Sequence, residues 1–476
     1  MHSDSLTQFQ AFRESLHSKL TYWSYATFEL IESLASYGSE VRQATGLSLS
    51  PCFQRQYPAI TKVIGAFAQG SRSDDTGYTF AHWEAAYRAS IAELMPAPFF
   101  DRYHVFGTDV TSIEKVYSSC HADRQFVYQA SKGKHQRPIV IGHKNSCLAA
   151  FSPDPRWLIP LSMRRVGSKE KENQVGFEQL EAVLNDPSLN LGDRTCIHLG
   201  DTTYSRIPFL YQGYQHDSLV VISRLHGNRT LYQLPEPVKG PRKPGCPRKY
   251  GASFNLKKPE TWPEPHAQAK WEIQPQKGQK QFIEAIEFRD VLVRGKRKMD
   301  MSKIPLRVIG FRLLDEQGNQ KLERMLWVVM CGKKRDEPTL KQCWVMVRKR
   351  FDLEHFFRFA KQKLLLNKFQ SPSVAHMENW WQIVCCAYAL LYAARTLAKN
   401  CPYPWQKYLE IYQAPAEQQA VKVPAMVQKD YYRIIQLLEP ITQPPRKVKK
   451  SKGRKKGQKL PPRVRYKPVK KSKNVA

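Results

Sequence analysis

A chain of 476 residues with 42% apolar and 11% aromatic side chains can bury a sizeable core in about two to four folding units, which excludes a disordered protein. Its 75 Lys and Arg against 42 Asp and Glu give a formal charge of +33, so the expected partner is a polyanion, nucleic acid first. The N-terminus has no apolar signal core and no window approaches ~18 consecutive apolar residues. The ten scattered cysteines form no Cys-x-x-Cys pair or zinc spacing. These features predict a cytoplasmic protein with reduced thiols and no membrane partner.

Apolar residues recur at spacings of three and four through Phe9, Phe12, Leu16, Leu20 and Trp23, and again through Trp83, Tyr87, Ile91 and Leu94. Such spacing predicts amphipathic helices, and residues 1–98 read as a helical N-terminal domain for DNA binding or dimerisation. The pattern then changes to strands. Residues 103–109 end on Asp109, strands over 138–142 and 157–163 follow, and a helix covers 175–185. A second apolar strand, 195–201, ends on Asp201, followed by a short helix over 205–214 and a strand over 218–224. The order β-β-β-α-β-α-β predicts an α/β, ribonuclease-H-like catalytic core whose first part spans 99–226.

Residues 227–325 break this rhythm with proline-rich and basic loops and a strand near 304–313, and read as a β-rich insertion. The core resumes over 326–400 with a strand at 325–330, a helix over 350–366 and a strongly apolar helix around Trp380 and Trp381. A C-terminal helical segment, 401–443, leads into a tail over 444–476. Within the tail, Arg446 to Lys473 carries 15 Lys or Arg and no acid. That composition predicts a disordered segment that binds DNA phosphates without reading bases.

An Asp closing a strand sits at the open edge of a sheet, and two adjacent strands that end this way bring two carboxylates together. Asp109 and Asp201 meet that requirement. Either residue alone reads more simply as a turn or cap, but the ordered pair calls for a third carboxylate from a helix beside the strand ends. Glu354 is the candidate. Arg350 four residues before it and Lys361 seven after it share its helical face, so one acid is flanked by two cations suited to phosphate. Three carboxylates suit two Mg²⁺ ions about 3.5–4 Å apart, for which Mn²⁺ could substitute, in an in-line attack on a phosphodiester.

Read as Arg-x3-Glu-x6-Lys, Arg350, Glu354 and Lys361 resemble the signature of cut-and-paste insertion-sequence transposases with an Asp-Asp-Glu triad. Residues 107–111 resemble that family's first-carboxylate segment and 198–204 its second, with the β-rich insertion between the second Asp and the Glu. The resemblance covers roughly residues 100–400. It implies Asp109, Asp201 and Glu354 as catalytic metal ligands, with Arg350 and Lys361 on phosphates near the cleaved end. It also implies an unpaired base stacked on a tryptophan, for which Trp327 is the candidate. The family's Tyr three residues before the Arg is Val347 here. Arg242 and Lys243, in a stretch rich in cations and aromatics, are candidate DNA-backbone contacts.

The implied protein is a bacterial, nucleoid-associated DNA transposase. It would act as a homodimer or larger synaptic complex on double-stranded terminal repeats and target DNA. Two alternatives are a ribonuclease-H-like structure-specific nuclease that cuts without joining, and a non-catalytic DNA-binding protein derived from a transposase.

Overall fold

The computed structural model describes residues 2–67, 80–128, 138–237, 246, 248–273, 280–296, 298–321, 323–399, 401, 404, 408, 422–445, 453, 455, 457–459 and 461–470. At the centre is a ten-stranded mixed sheet. Its first strands are β1 (Tyr103–Glu114), β2 (Gln125–Tyr128), β3 (Ile139–Phe151) and β4 (Leu158–Val166). Four strands therefore precede the next helix rather than three. Both β2 and β4 pair with the long β3, one after the other along the same edge.

Helix α5 (Glu172–Leu184) leads to β5 (Thr195–Gly200), and α6 (Ile207–Tyr214) to β6 (Leu219–Arg224). The strands β1, β5 and β6 lie side by side and parallel, with β3 antiparallel on the other side of β1. All six residues of β5 are buried, as a central strand covered on both faces requires.

Residues 227–325 do not form a separate layer. A two-stranded piece, β7 (Thr230–Tyr232) with β8 (Ser253–Asn255), precedes β9 (Ala267–Ile273), β10 (Gln281–Val291) and β11 (Leu306–Leu314). These last three extend the main sheet through β12 (Leu326–Cys331), in the order β6-β12-β11-β10-β9. Buried Arg307 of β11 locks the extension: its guanidinium pairs with buried Glu287 of β10 and donates to the Pro338 carbonyl at 2.6 Å.

Pro338 precedes a helix that the sequence reading missed, α7 (Leu340–Lys349), opened by a capping box between Thr339 and Gln342. It abuts α8 (Phe351–Lys363) at Arg350, which closes one helix and opens the other. Next comes α9 (Val374–Ala393). Its buried residues face every direction, so it is a central helix rather than an amphipathic one. Among the partners of α9 are the N-terminal helices α1 (His2–Ser18), α2 (Ser24–Tyr37) and α3 (Pro58–Ala66), together with β4. Asn379 donates to the Ile64 carbonyl and Gln382 to that of Met163, so α9 pins the N-terminal helices to the sheet. Another N-terminal helix, α4 (Phe80–Ile91), packs on β4, and α10 (Pro424–Ile435) lies against α2. All ten cysteines are free, and no helix among the described residues is long and apolar enough to cross a membrane.

One short piece of the C-terminal tail is paired with the sheet, which the expectation of disorder did not include. Residues 466–469 run along the outer edge of β2: Tyr466 donates to the Ser119 carbonyl at 2.8 Å and Val469 to that of Arg124 at 2.6 Å. Buried Arg124 completes the clamp, donating to the carbonyls of Val116 and Tyr466. Composition alone misreads such a segment because edge pairing satisfies backbone groups without needing a core. Arg124→Ala is expected to cost about 1–3 kcal/mol by leaving the buried Lys115 carbonyl, which Arg124 also reaches at 3.1 Å, unpaired. Limited proteolysis near residue 466 should quicken in that variant and stay at the native rate if the clamp contributes nothing.

Candidate active site

The sheet itself brings the two aspartates together. In the parallel pair β1–β5, Gly107 is in register with Leu199, and two residues further along each chain stand Asp109 and Asp201. The ladder stops at the rung of Gly107 and Leu199, and the two carboxylates stand two residues beyond it, where the strands have ceased to pair. Unlike the expected strand, β1 does not end at Asp109. It continues to Glu114 alongside β3, which leaves the β5 side of Asp109 free of a strand. Gly107 permits the close layering here, because a Cβ would fall 2.4 Å from the Phe151 ring.

Beneath this rung, His198 of β5 and Thr108 of β1 are hydrogen-bonded at 2.9 Å and fully buried. Burial pushes the imidazole down to about 3, so His198 is neutral, and its Nε2 is engaged with Thr108 as a strut between the strands. Asp201 sits in a tight turn in which its carboxylate accepts the Thr203 N–H at 2.8 Å.

Helix α8 brings the third carboxylate. Its register on β1 is fixed by Lys361, which donates to the Ser112 carbonyl at 3.1 Å, three residues beyond Asp109. Burial lowers the ammonium's pKa. Lys361 thus anchors the helix by a backbone contact. Near the start of α8, Glu354 is half exposed and faces Arg350, whose Nη2 is 2.9 Å from Glu354 Oε1 and whose Nη1 is 3.6 Å from Asp109 Oδ2. Asp352 faces elsewhere, buried and paired with Lys349 at 3.4 Å.

Burial is the main cause that raises the Asp109 carboxyl to about 6; the Arg350 charge and the Val110 N–H oppose it, and the charges of Asp201 and Glu354 add to it. Asp201 and Glu354 therefore both lie close enough for their charges to act on Asp109. A carboxyl with a raised pKa binds its proton more tightly in the folded chain. Its contribution to stability is complete below 3.8 and is lost as pH rises towards about 6. Without divalent cations, Asp109→Asn should flatten that fall in melting temperature with pH. An unchanged slope would place the titration elsewhere.

By chemistry, the three carboxylates fit a hard divalent cation that prefers oxygen. They are not drawn into a ligand shell: among the described residues no group of three or more His, Cys, Asp or Glu is arranged to hold a metal ion. Next to them opens a cavity of about 640 Å³, walled by Gly200, Arg224, Trp344, Arg348 and Arg350 among others. The sequence reading missed Arg224 and Arg348. Arg224 closes β6, the strand beside β5, so the strand-end rule that marked Asp201 applies to it as well.

Trp327 requires a correction. It is buried in β12, stacked on Phe288 with 6.2 Å between ring centroids and edge-on to Trp262 at 5.4 Å, so neither ring face is open to a base. A strand at the centre of a widened sheet turns its aromatics into the core. Arg242 and Lys243 lie outside the described residues. In the same basic stretch, Lys249 is exposed and pairs with Asp300 at 2.7 Å.

No curated protein matches the chain. Residues 66–282 match the family described as DDE superfamily endonuclease, a stretch that contains Asp109 and Asp201 and ends before α8. Over those residues the chain is similar to the DDE superfamily endonucleases, which supports an enzyme of nuclease or transposase type that acts on DNA.

Proposed function

We propose that this protein is a DDE transposase with a ribonuclease-H-like core, cutting DNA at the ends of a mobile element and joining those ends to target DNA. The observation that carries the reading is that Asp109 and Asp201 stand together just past the end of the β1–β5 ladder, with Glu354 brought to Asp109 through Arg350. Asp109, Asp201 and Glu354 would hold the divalent ions, Mg²⁺ or Mn²⁺. When bound, such ions activate the attacking oxygen and stabilise the leaving one.

The chain's own groups have separate tasks. Arg350, with Arg224 and Arg348 on the cavity wall, offers guanidinium forks to phosphates near the scissile bond. The buried strut between Thr108 and His198 fixes the spacing of the two strands, and Lys361 fixes α8 against β1. The overall charge of +33 attracts duplex DNA with little sequence preference and with strong salt dependence. Joining two element ends to a target calls for two or more copies of the chain, hence a dimer or larger synaptic complex.

The test is a reaction of the full chain with Mg²⁺ and a duplex carrying flanked element ends. Joined products support transposition. Cut but unjoined products move the reading to a structure-specific nuclease, and binding without cleavage moves it to a DNA-binding protein.

A further inference from the structure

Arg350 holds an unusual position for a phosphate ligand. It stands at the junction of α7 and α8 with its backbone helical, and its side chain is only 14% exposed. One nitrogen faces Asp109 and another Glu354, while its Cζ lies 5.1 Å from the Phe351 ring centroid. The planar fork thus spans two of the three carboxylates, the mostly buried Asp109 and the half-exposed Glu354, whose like charges would otherwise face one another.

We infer that Arg350 is a built-in counter-cation that closes the carboxylate site, is displaced by a divalent ion, and on leaving becomes available to a DNA phosphate. This inference rests on the metal-dependent reading above.

The physical basis is geometric. An ion such as Mg²⁺ draws its oxygen ligands to about 2.0–2.1 Å, whereas the Arg350 guanidinium holds two carboxylates apart by its own width, hydrogen-bonded to Glu354 at 2.9 Å and ion-paired with Asp109 at 3.6 Å. Both cations cannot occupy the space between Asp109 and Glu354. The carboxylates, held apart by the fork, are not gathered into an ion shell. Arg350 also lines the cavity beside Gly200 and Arg224, so a change of rotamer at one residue moves its charge from carboxylates to incoming phosphate. Ion and DNA then favour each other reciprocally, because each removes a competitor of the other.

The test measures Mn²⁺ binding to the full chain without DNA, by electron paramagnetic resonance of the free ion. Arg350→Gln should bind Mn²⁺ at least about fivefold more tightly than the native chain. Arg350→Lys, which keeps the charge but cannot bridge both carboxylates, should also bind more tightly. Arg358→Gln removes an exposed charge one turn beyond Glu354 on α8 and serves as the control for the general field. Unchanged or weaker binding in both Arg350 variants, or an equal gain in Arg358→Gln, overturns the inference.

Asp109→Asn separates this failure from that of the underlying reading. If it leaves native Mn²⁺ affinity unchanged, the metal site itself is wrong and both ideas fall. In a second arm, Ca²⁺ should raise the native chain's affinity for duplex DNA more than it raises that of Arg350→Gln. Equal gains would remove the coupling.

Discussion

Asp109→Asn is expected to lower Mg²⁺-dependent DNA cleavage by roughly three orders of magnitude while leaving the fold and DNA affinity close to native. A carboxylate that holds an activating ion contributes several kcal/mol of charge stabilisation in the transition state, and each 1.36 kcal/mol is a tenfold change in rate. The fold should tolerate the change. Asparagine keeps the side chain's volume and its oxygen can still accept the Val110 N–H that Asp109 accepts at 2.8 Å. Because burial and the neighbouring charges of Asp201 and Glu354 disfavour the Asp109 carboxylate, removing its charge relieves repulsion in the ion-free chain. A variant that is more stable without ions yet nearly inactive with them would mark a functional carboxylate. Near-native cleavage would remove Asp109 from the chemistry.

The largest effect on stability is expected from Arg307→Ala, at up to about 3–5 kcal/mol, because it removes the buried partner of the Glu287 charge and leaves it only the half-exposed Arg289. Burial works against the Glu287 carboxylate, yet hydrogen bonds from Arg289 and the charge and hydrogen bond of Arg307 still hold it below its ordinary range. Stability from Glu287 is therefore present above the unfolded carboxyl pKa and is lost as pH falls through the lower folded value. The pair also positions the site, since Arg307 grips the carbonyls of Arg335 and Pro338 just before α7, and α7 leads directly to Arg350. Equilibrium urea unfolding measures the loss. A double replacement by apolar residues of similar shape should recover most of it, whereas a cost under about 1 kcal/mol for Arg307→Ala would show that the pair is not a buried lock.

Much of the central sheet was legible because its strands are short apolar runs that end on polar residues. The strand over 195–201 is the clearest: six buried residues, then Asp201. The continuation of β1 past Asp109 was not legible, since Val110, Thr111, Ser112, Ile113 and Glu114 lack apolar/polar alternation and draw support from β3 more than 20 residues later. No local signal says that β9, β10 and β11 join the main sheet, because the link is the pairing of β11 with β12 across a loop. The missed α7 did carry a signal in Thr339 and Gln342, the two ends of a capping box, but its mixed composition obscured the period.

The candidate site follows the same division. The placing of Asp109 and Asp201 together beyond the last rung of β1 and β5 follows from strand ends that sequence reveals, and the i, i+4 spacing of Arg350 and Glu354 foretold their contact. What spacing could not convey was the second contact of Arg350, to Asp109, or that Lys361 would turn to the Ser112 carbonyl. Nor could it convey the burial of Trp327, whose neighbours Trp262 and Phe288 lie far off in sequence. Such facts belong to tertiary packing.

Glu354 is the carboxylate that lies beyond the matched stretch of residues 66–282 and on a different element from the two aspartates, so it carries the central claim most exposed to refutation. The decisive measurement compares Mg²⁺-dependent cleavage and joining by Glu354→Gln and by Asp352→Asn, two residues apart on one helix but turned to different surroundings. A single three-carboxylate site predicts that Glu354→Gln abolishes both products and Asp352→Asn retains them. Joined products at the native rate from Glu354→Gln would contradict it.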